Sequence, residues 1–97
     1  MPGKQKSSQN PLRKIERVQT GVRIEKRLLK VLKGLAEYHD MSLGDLIEGI
    51  VLHSFEGKAP FSKKNLKKIM DLKSIYDLDL TSKDSHKLVE SWLLYYY

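Results

Sequence analysis

The order of apolar and polar positions separates one segment with a two-residue period from several segments with a helical period. Residues 17–24, RVQTGVRI, alternate, so one face of an extended strand would be apolar and the other polar. From Glu25 onward, apolar residues recur at spacings of three and four, which predicts an amphipathic helix over about residues 26–38. The pattern therefore predicts a single strand followed by helices.

Three further helices are predicted, each beginning after a residue that favours the N-cap position. These cap residues are Ser42, Ser62 and Thr81. The first of the three helices covers about residues 43–55 and ends at a glycine followed by a proline. The second ends near Tyr76, and the third carries an apolar stripe that includes Leu88, Val89 and Trp92.

The positive charge is concentrated in the N-terminal third of the chain. Residues 1–30 hold nine Lys and Arg against two acidic residues, a net charge of +7, whereas residues 31–97 have a net charge of −1. A basic block favours an anionic partner, most often nucleic acid. The alternative is a solvated tail that maintains solubility. Residues 1–12, polar and basic, are expected to form a flexible arm.

Composition excludes several classes of function. The chain has no cysteine, no apolar run long enough for a membrane span, and no apolar core in its N-terminal residues, so we expect a cytoplasmic protein without membrane contact. His39, His53 and His86 are isolated, which predicts no metal site. No nucleophile–base pair and no Gly-rich phosphate loop is present. We therefore expect neither an enzyme nor a cofactor.

A single predicted strand raises the question of its partner. Unpaired backbone groups of a strand favour pairing with another strand, and the simplest partner is the same strand of a second copy. Two such strands form an antiparallel ribbon that fits the major groove of B-DNA, where Arg bonds to guanine and Gln to adenine.

The stretch VRIEKRLLKVLKGLAEYHDMSLGDLIEGIV, residues 22–51, resembles the ribbon-helix-helix repressors of the MetJ/Arc superfamily, and the resemblance covers about residues 17–55. It implies a mainly α fold with one β-strand, in which an intertwined homodimer shares a two-stranded antiparallel ribbon. The ribbon-helix-helix domain would span residues 13–57. Residues 58–97 would add a C-terminal helical extension of two helices.

The resemblance also implies a set of DNA contacts. Outward strand residues would read bases, and these are Gln19, Gly21 and Arg23. The start of the second helix would hold a phosphate, at Ser42 and Leu43. Arg17, farther from the ribbon centre, and Lys26, in the first helical turn, are further predicted phosphate contacts. The turn before Ser42 lacks the glycine common in the family, and Asp40 is expected to tolerate the backbone angle required there.

Three functions remain open. The first is a homodimeric, sequence-specific DNA-binding transcriptional regulator of the repressor kind, which could form higher oligomers on double-stranded DNA. The second is an antitoxin whose C-terminal segment binds a toxin, or a plasmid copy-control or partition protein. The third is an all-helical adaptor with no nucleic-acid role, in which residues 17–24 form a loop.

Overall fold

The computed structural model describes residues 12–91, in which three α-helices and one short 3₁₀ helix follow one another along the chain. The α-helices are α1 (Lys26–Tyr38), α2 (Leu43–Phe55) and α3 (Lys63–Ile75), and the 3₁₀ helix is Ser82–Asp84. The bounds predicted for the first two helices are confirmed, and the third helix ends beside Tyr76 as predicted.

Two of the predicted N-caps are confirmed by their hydrogen bonds. The Ser42 hydroxyl accepts the backbone N–H of Asp45 at 3.1 Å, and the Ser62 hydroxyl accepts that of Asn65 at 3.2 Å. Each bond satisfies one of the backbone donors that a helix leaves free at its start. The positions at which α2 and α3 begin are therefore set by local sequence.

Glu25 caps α1, which the sequence analysis did not predict. Its carboxylate accepts the N–H of Leu28 at 2.8 Å, and this bond lowers the pKa of Glu25 below its ordinary value. The negative charge also lies at the positive end of the helix dipole, which stabilises both. Glu25 thus stabilises the transition from the extended N-terminal segment to the helix.

All three helices end in the same backbone motif. The second residue after each helix has a left-handed conformation, and these residues are Asp40 (φ 54°), Gly57 (φ 71°) and Asp77 (φ 55°). In α1, the N–H of Met41 then bonds to the carbonyl of Ala36 at 3.0 Å, which is the pattern of a Schellman motif. The expectation that Asp40 tolerates this backbone angle is confirmed.

The core is small and centred on α1, which contacts both α2 and α3. Leu35 is 1% exposed and packs with Ala36 and with Leu46 of α2, and Val31 and Leu78 are the other buried apolar residues in the described chain. A core of this size is typical of a marginally stable domain. None of the helices within residues 12–91 is long and apolar enough to cross a membrane.

The helices α1 and α3 pack antiparallel along a seam with a regular register. A Cβ added at Gly34 would lie 2.9 Å from a terminal methyl of Leu72, so the two helices approach closely at this point. Contacts on either side of this point follow at intervals of three or four residues. They are Arg27 with Asp79, Lys30 with Tyr76, and Tyr38 with Lys68.

The predicted ribbon-helix-helix fold is wrong, because the described chain contains three helices and no β-strand. Residues 17–24, predicted as a strand that pairs with its copy in an intertwined homodimer, belong to a segment over residues 12–25 with neither helix nor strand. Alternation determines where side chains point, but a strand also needs a partner for its backbone. Residues 12–91 supply none, and Val18 and Val22 are 79% and 74% exposed. The alternative prediction, in which residues 17–24 form a loop, agrees with the structure.

The predicted last helix is also absent over the described part of its range. Thr81 does cap a helical turn, and its N–H bonds to the carboxylate of Asp84 at 2.8 Å. The turn stops after three residues, and His86 has a left-handed conformation with φ of 67°. Ser, Asp and His are weak helix formers, so local sequence does not extend the turn. Trp92 lies outside the described residues, as does most of the arm predicted over residues 1–12.

Candidate nucleic-acid interface

The three residues predicted to read bases all lie in the exposed segment over residues 12–25. Gln19 and Gly21 are exposed, and a Cβ built at Gly21 would have no atom within 4 Å. Arg23 is also exposed. The structure thus brings these residues together on one stretch of accessible backbone, but without the paired ribbon that would have fixed their spacing.

Arg23 is held by an acidic residue from the other end of the described chain. Its guanidinium forms a two-pronged ion pair with Glu90, and Nε lies 2.8 Å from one carboxylate oxygen. The hydrogen bond to Glu90 raises the pKa of Arg23 above its ordinary value. The arginine predicted to contact a base therefore has a carboxylate partner within the chain.

Arg17 is held in a similar way by the first turns of α2. Its guanidinium lies 2.8 and 2.9 Å from the two carboxylate oxygens of Glu48, and 3.0 Å from a carboxylate oxygen of Asp45. The bond to Glu48 raises the pKa of Arg17, and the same bond lowers the pKa of Glu48. These side chains are exposed or half-exposed, so solvent and salt screen the interaction.

The start of α2, predicted to hold a phosphate, is brought close to Arg17 by this contact. The Ser42 hydroxyl already accepts the backbone N–H of Asp45 as the N-cap of α2, and Leu43 is half-buried in the first turn. Asp45 places a carboxylate at the same helix end. Two predicted phosphate contacts, Arg17 and Ser42, are thus connected through Asp45, whose carboxylate pairs with Arg17 and whose N–H bonds to Ser42. Asp45 and Glu48 together carry more negative charge than Arg17 balances.

Lys26, the remaining predicted phosphate contact, begins a row of lysines on α1. Lys26, Lys30 and Lys33 follow the spacing i, i+4, i+7, and all three are exposed. Because residues at this spacing share one helix face, the row extends along about 10 Å of the helix axis. Sequence reasoning missed Lys30 and Lys33 as site residues, yet their spacing on the polar side of a predicted helix was the signal that could have identified them.

A second lysine row on α3 lies beside the first. Lys68 is positioned over the ring of Tyr38 on α1 at 5.0 Å, and Lys30 over the ring of Tyr76 at 5.6 Å. Both rows therefore flank the α1–α3 seam. We call this surface the lysine face, and its members are Lys26, Lys30 and Lys33 on α1 with Lys64, Lys67 and Lys68 on α3.

The lysine face has the character of a surface for an anionic partner. Asp71 lies 3.8 Å from Lys67, and Glu37 follows the row on α1, so the acidic residues nearby are fewer than the lysines. The two tyrosine rings fix Lys30 and Lys68 in direction, which lowers the entropy lost when they contact a ligand. Ammonium groups bind phosphates as point charges.

Comparisons with protein-family models, with curated proteins and with solved structures give no match to this chain. The resemblance noted from the sequence thus stays a prediction, and the proposals below rest on the residues themselves.

Proposed function

We propose that the protein is a cytoplasmic, sequence-specific DNA-binding regulator that contacts the phosphate backbone with its lysine face. The observation that carries the proposal is the pair of lysine rows along the α1–α3 seam, held in register by Tyr38 and Tyr76. Each phosphate that a lysine neutralises releases a condensed counterion, which favours binding and makes it depend on salt.

The exposed segment over residues 12–25 is the second part of the proposal. It leads directly into the row that begins at Lys26, and it carries Arg13, Lys14 and Gln19 on accessible backbone. A single extended basic segment of this kind fits a DNA groove, where Arg and Gln side chains hydrogen-bond to base edges. Gln19 and Arg23 are the residues that we expect to give sequence preference.

The lysine face is tested with a triple variant, Lys26→Gln, Lys30→Gln and Lys33→Gln, titrated with duplex DNA at several salt concentrations. The slope of log affinity against log salt should become shallower by up to about 3, since about 0.9 is lost for each phosphate contact. The matched control is Lys58→Gln, Lys83→Gln and Lys87→Gln, which removes three equally exposed charges away from the seam. If the salt slope changed equally in both variants, net charge alone would explain the effect, and the proposal would be wrong.

Sequence preference is tested by selecting bound sequences from a random duplex pool. The wild type should enrich a short motif, and Arg23→Ala should lower affinity for that motif by about tenfold, with a smaller effect on random DNA. Lys87→Ala, which removes an exposed cation outside both the segment over residues 12–25 and the lysine face, is the control. If no motif is enriched, or if the Arg23 variant keeps the same sequence preference, the proposal of a sequence-specific regulator is wrong, even if the protein still binds DNA.

We also propose that the protein functions as a homodimer, with the second copy packed on the end of α2. Leu52 and Phe55 are 63% and 81% exposed, and Val51 lies beside them on the same helix end. An apolar patch on a domain with so small a core favours self-association. Leu52→Lys should give a monomer in sedimentation equilibrium, whereas Met70→Lys, at a comparably exposed position on α3, should leave the dimer intact. A wild type that sediments as a monomer at all concentrations would exclude the dimer.

A further inference from the structure

Residues 88–90, near the end of the described chain, lie beside the place where the exposed segment enters α1. An open cleft separates them from residues 22–26, and Leu29 of α1 also lines it. Arg23 and Glu90 meet at this cleft although they are 67 positions apart in the sequence. We call residues 88–90 the strap.

The chain that leads to the strap is fixed at its base. Leu78 is buried, and the guanidinium of Arg27 on α1 donates to the Asp77 carbonyl at 2.8 Å. The capped 3₁₀ turn over Ser82–Asp84 follows, closed by its own hydrogen bonds. Residues 77–84 thus hold a defined position against the start of α1, and they keep the strap within reach of Arg23.

The strap itself is held much less firmly than its base. It has neither helix nor strand, and Leu88 and Val89 are 52% and 66% exposed although both line the cleft. Its contacts include the two-pronged ion pair of Glu90 with Arg23, and pairs between exposed groups are weak and screened by salt. Segments with few buried apolar contacts open at little cost in free energy. The strap can therefore leave the cleft while the three helices stay folded.

The ion pair with Glu90 withdraws Arg23 from other anions. It occupies Nε and one terminal nitrogen of the guanidinium, donors that also serve a two-pronged contact with guanine or phosphate. It neutralises the charge of Arg23 and directs the side chain towards the strap. Glu90 and Lys26 line the same cleft, so the carboxylate lies where the lysine face begins and repels phosphate there.

We propose that the strap is an autoinhibitory element, which keeps Arg23 from double-stranded DNA until the polyanion displaces Glu90. The inference rests on the proposed function and adds a regulatory contact to the same surface. Because residues 77–84 keep the strap close to Arg23, the ion pair re-forms when the DNA leaves. The pair is exposed, so its release should change the affinity for DNA by a factor of about five at most.

The contact itself is tested without DNA, by NMR on the full chain. Glu90→Gln keeps the shape of the side chain but removes its charge, so backbone order parameters should fall at residues 88–90 and stay unchanged in α1. The matched control is Glu56→Gln, which removes a carboxylate paired with Lys58 at 3.3 Å, outside the cleft and the lysine face. It should leave the strap unchanged. Order parameters at residues 88–90 that do not respond to Glu90→Gln would overturn the proposal.

The inhibition is tested by titrating the same variants with random-sequence duplex DNA at low salt. Glu90→Gln should bind up to about fivefold more tightly than the wild type, because Arg23 is released. Glu56→Gln changes the net charge by the same amount and should give a smaller gain. Equal gains in the two variants would attribute the tighter binding to net charge and reject an inhibitory role for the strap.

A double variant shows whether Glu90 acts through Arg23. In an Arg23→Ala background, the gain from Glu90→Gln should fall to that of Glu56→Gln, since no arginine is left to release. A gain that persists in full without Arg23 would mean that Glu90 repels DNA in a general way. The autoinhibitory contact would then be wrong.

These results separate the inference from the proposed function. If the wild type binds DNA and Glu90→Gln binds it no better, the autoinhibition is wrong and the proposed function stands. If neither protein binds DNA at low salt, the proposed function is wrong, and the autoinhibition is rejected with it because the strap has no DNA contact to oppose.

Discussion

The α1–α3 pair and the segment over residues 12–25 both carry positive charge, but they hold it in different ways. On α1 and α3, packing at Gly34 and Leu72 fixes the register, and aromatic rings direct Lys30 and Lys68. In the segment, no regular secondary structure fixes the backbone, and the described tertiary contacts of its side chains include exposed ion pairs. Charge on a packed scaffold keeps its geometry when the surroundings change, whereas charge held by screened ion pairs can be redirected by a competing anion.

The largest expected effect is a difference in the free energy of unfolding between a variant of the helical core and a variant of the segment. Leu35→Ala removes the most buried side chain and should lower the free energy of unfolding by about 2–5 kcal/mol, measured by urea denaturation with circular dichroism. Val18→Ala truncates an exposed apolar residue of the segment and should change stability by less than about 0.5 kcal/mol. Similar losses for the two variants would mean that the segment is part of the folding core.

A comparison of two helical glycines tests the seam itself. Gly49→Ala gains helix propensity in open space, whereas Gly34→Ala gains the same propensity but places a methyl 2.9 Å from Leu72. We expect the Gly49 variant to be more stable than the Gly34 variant by about 1–2 kcal/mol, measured by thermal and urea unfolding. If the Gly34 variant were the more stable of the two, the end of the Leu72 side chain would move aside at little cost, and the seam would not require a glycine at position 34.

The helix ends predict a smaller effect. Asp40 has a left-handed backbone conformation that glycine adopts without strain and a β-branched residue adopts poorly. Asp40→Gly should stabilise the protein by about 0.5 kcal/mol, and Asp40→Val should destabilise it by about 1 kcal/mol or more. Thermal unfolding of the two variants should therefore give shifts of opposite sign, and shifts of the same sign would contradict the Schellman end of α1.

The smallest effect on global stability, and the most local one, concerns the segment. Glu48→Gln removes the main partner of Arg17, so NMR backbone order parameters should fall near residue 17 while those of α1 stay unchanged. Because the pKa of Glu48 is lowered in the folded chain, its contribution is complete above the ordinary carboxylate range. It is lost as the pH falls through the lowered value. Unchanged order parameters near residue 17 would mean that the ion pair does not hold the segment.

The sequence predicted the three helices well because their determinants are local. Ser42 and Ser62 fix two starts through hydrogen bonds to residues three positions on, and the apolar spacing indicated the extent of the helices. The strand prediction failed because alternation at Val18 and Val22 describes side-chain direction, whereas pairing depends on a second segment of backbone. The prediction of a last helix was wrong because the residues after Thr81 do not favour a helix. Thr81 itself is an N-cap, as predicted.

The candidate site was predicted only in part, for a different reason. Arg17, Arg23 and Lys26 were identified from charge and position, but their carboxylate partners lie far along the sequence, at Glu48 and Glu90. Neither ion pair has a local signal. The cleft beside the strap likewise depends on how the two ends of the described chain come together, which periodicity does not specify.

The ion pair between Arg17 and Glu48 has a thermodynamic consequence for any polyanion that displaces it. When Arg17 moves from Glu48 to a phosphate, the carboxylate gains cations from solution while the phosphate loses them. The two exchanges oppose each other, so Arg17 adds little to the salt dependence of binding. A salt slope measured on the wild type would then report the lysines more than this arginine.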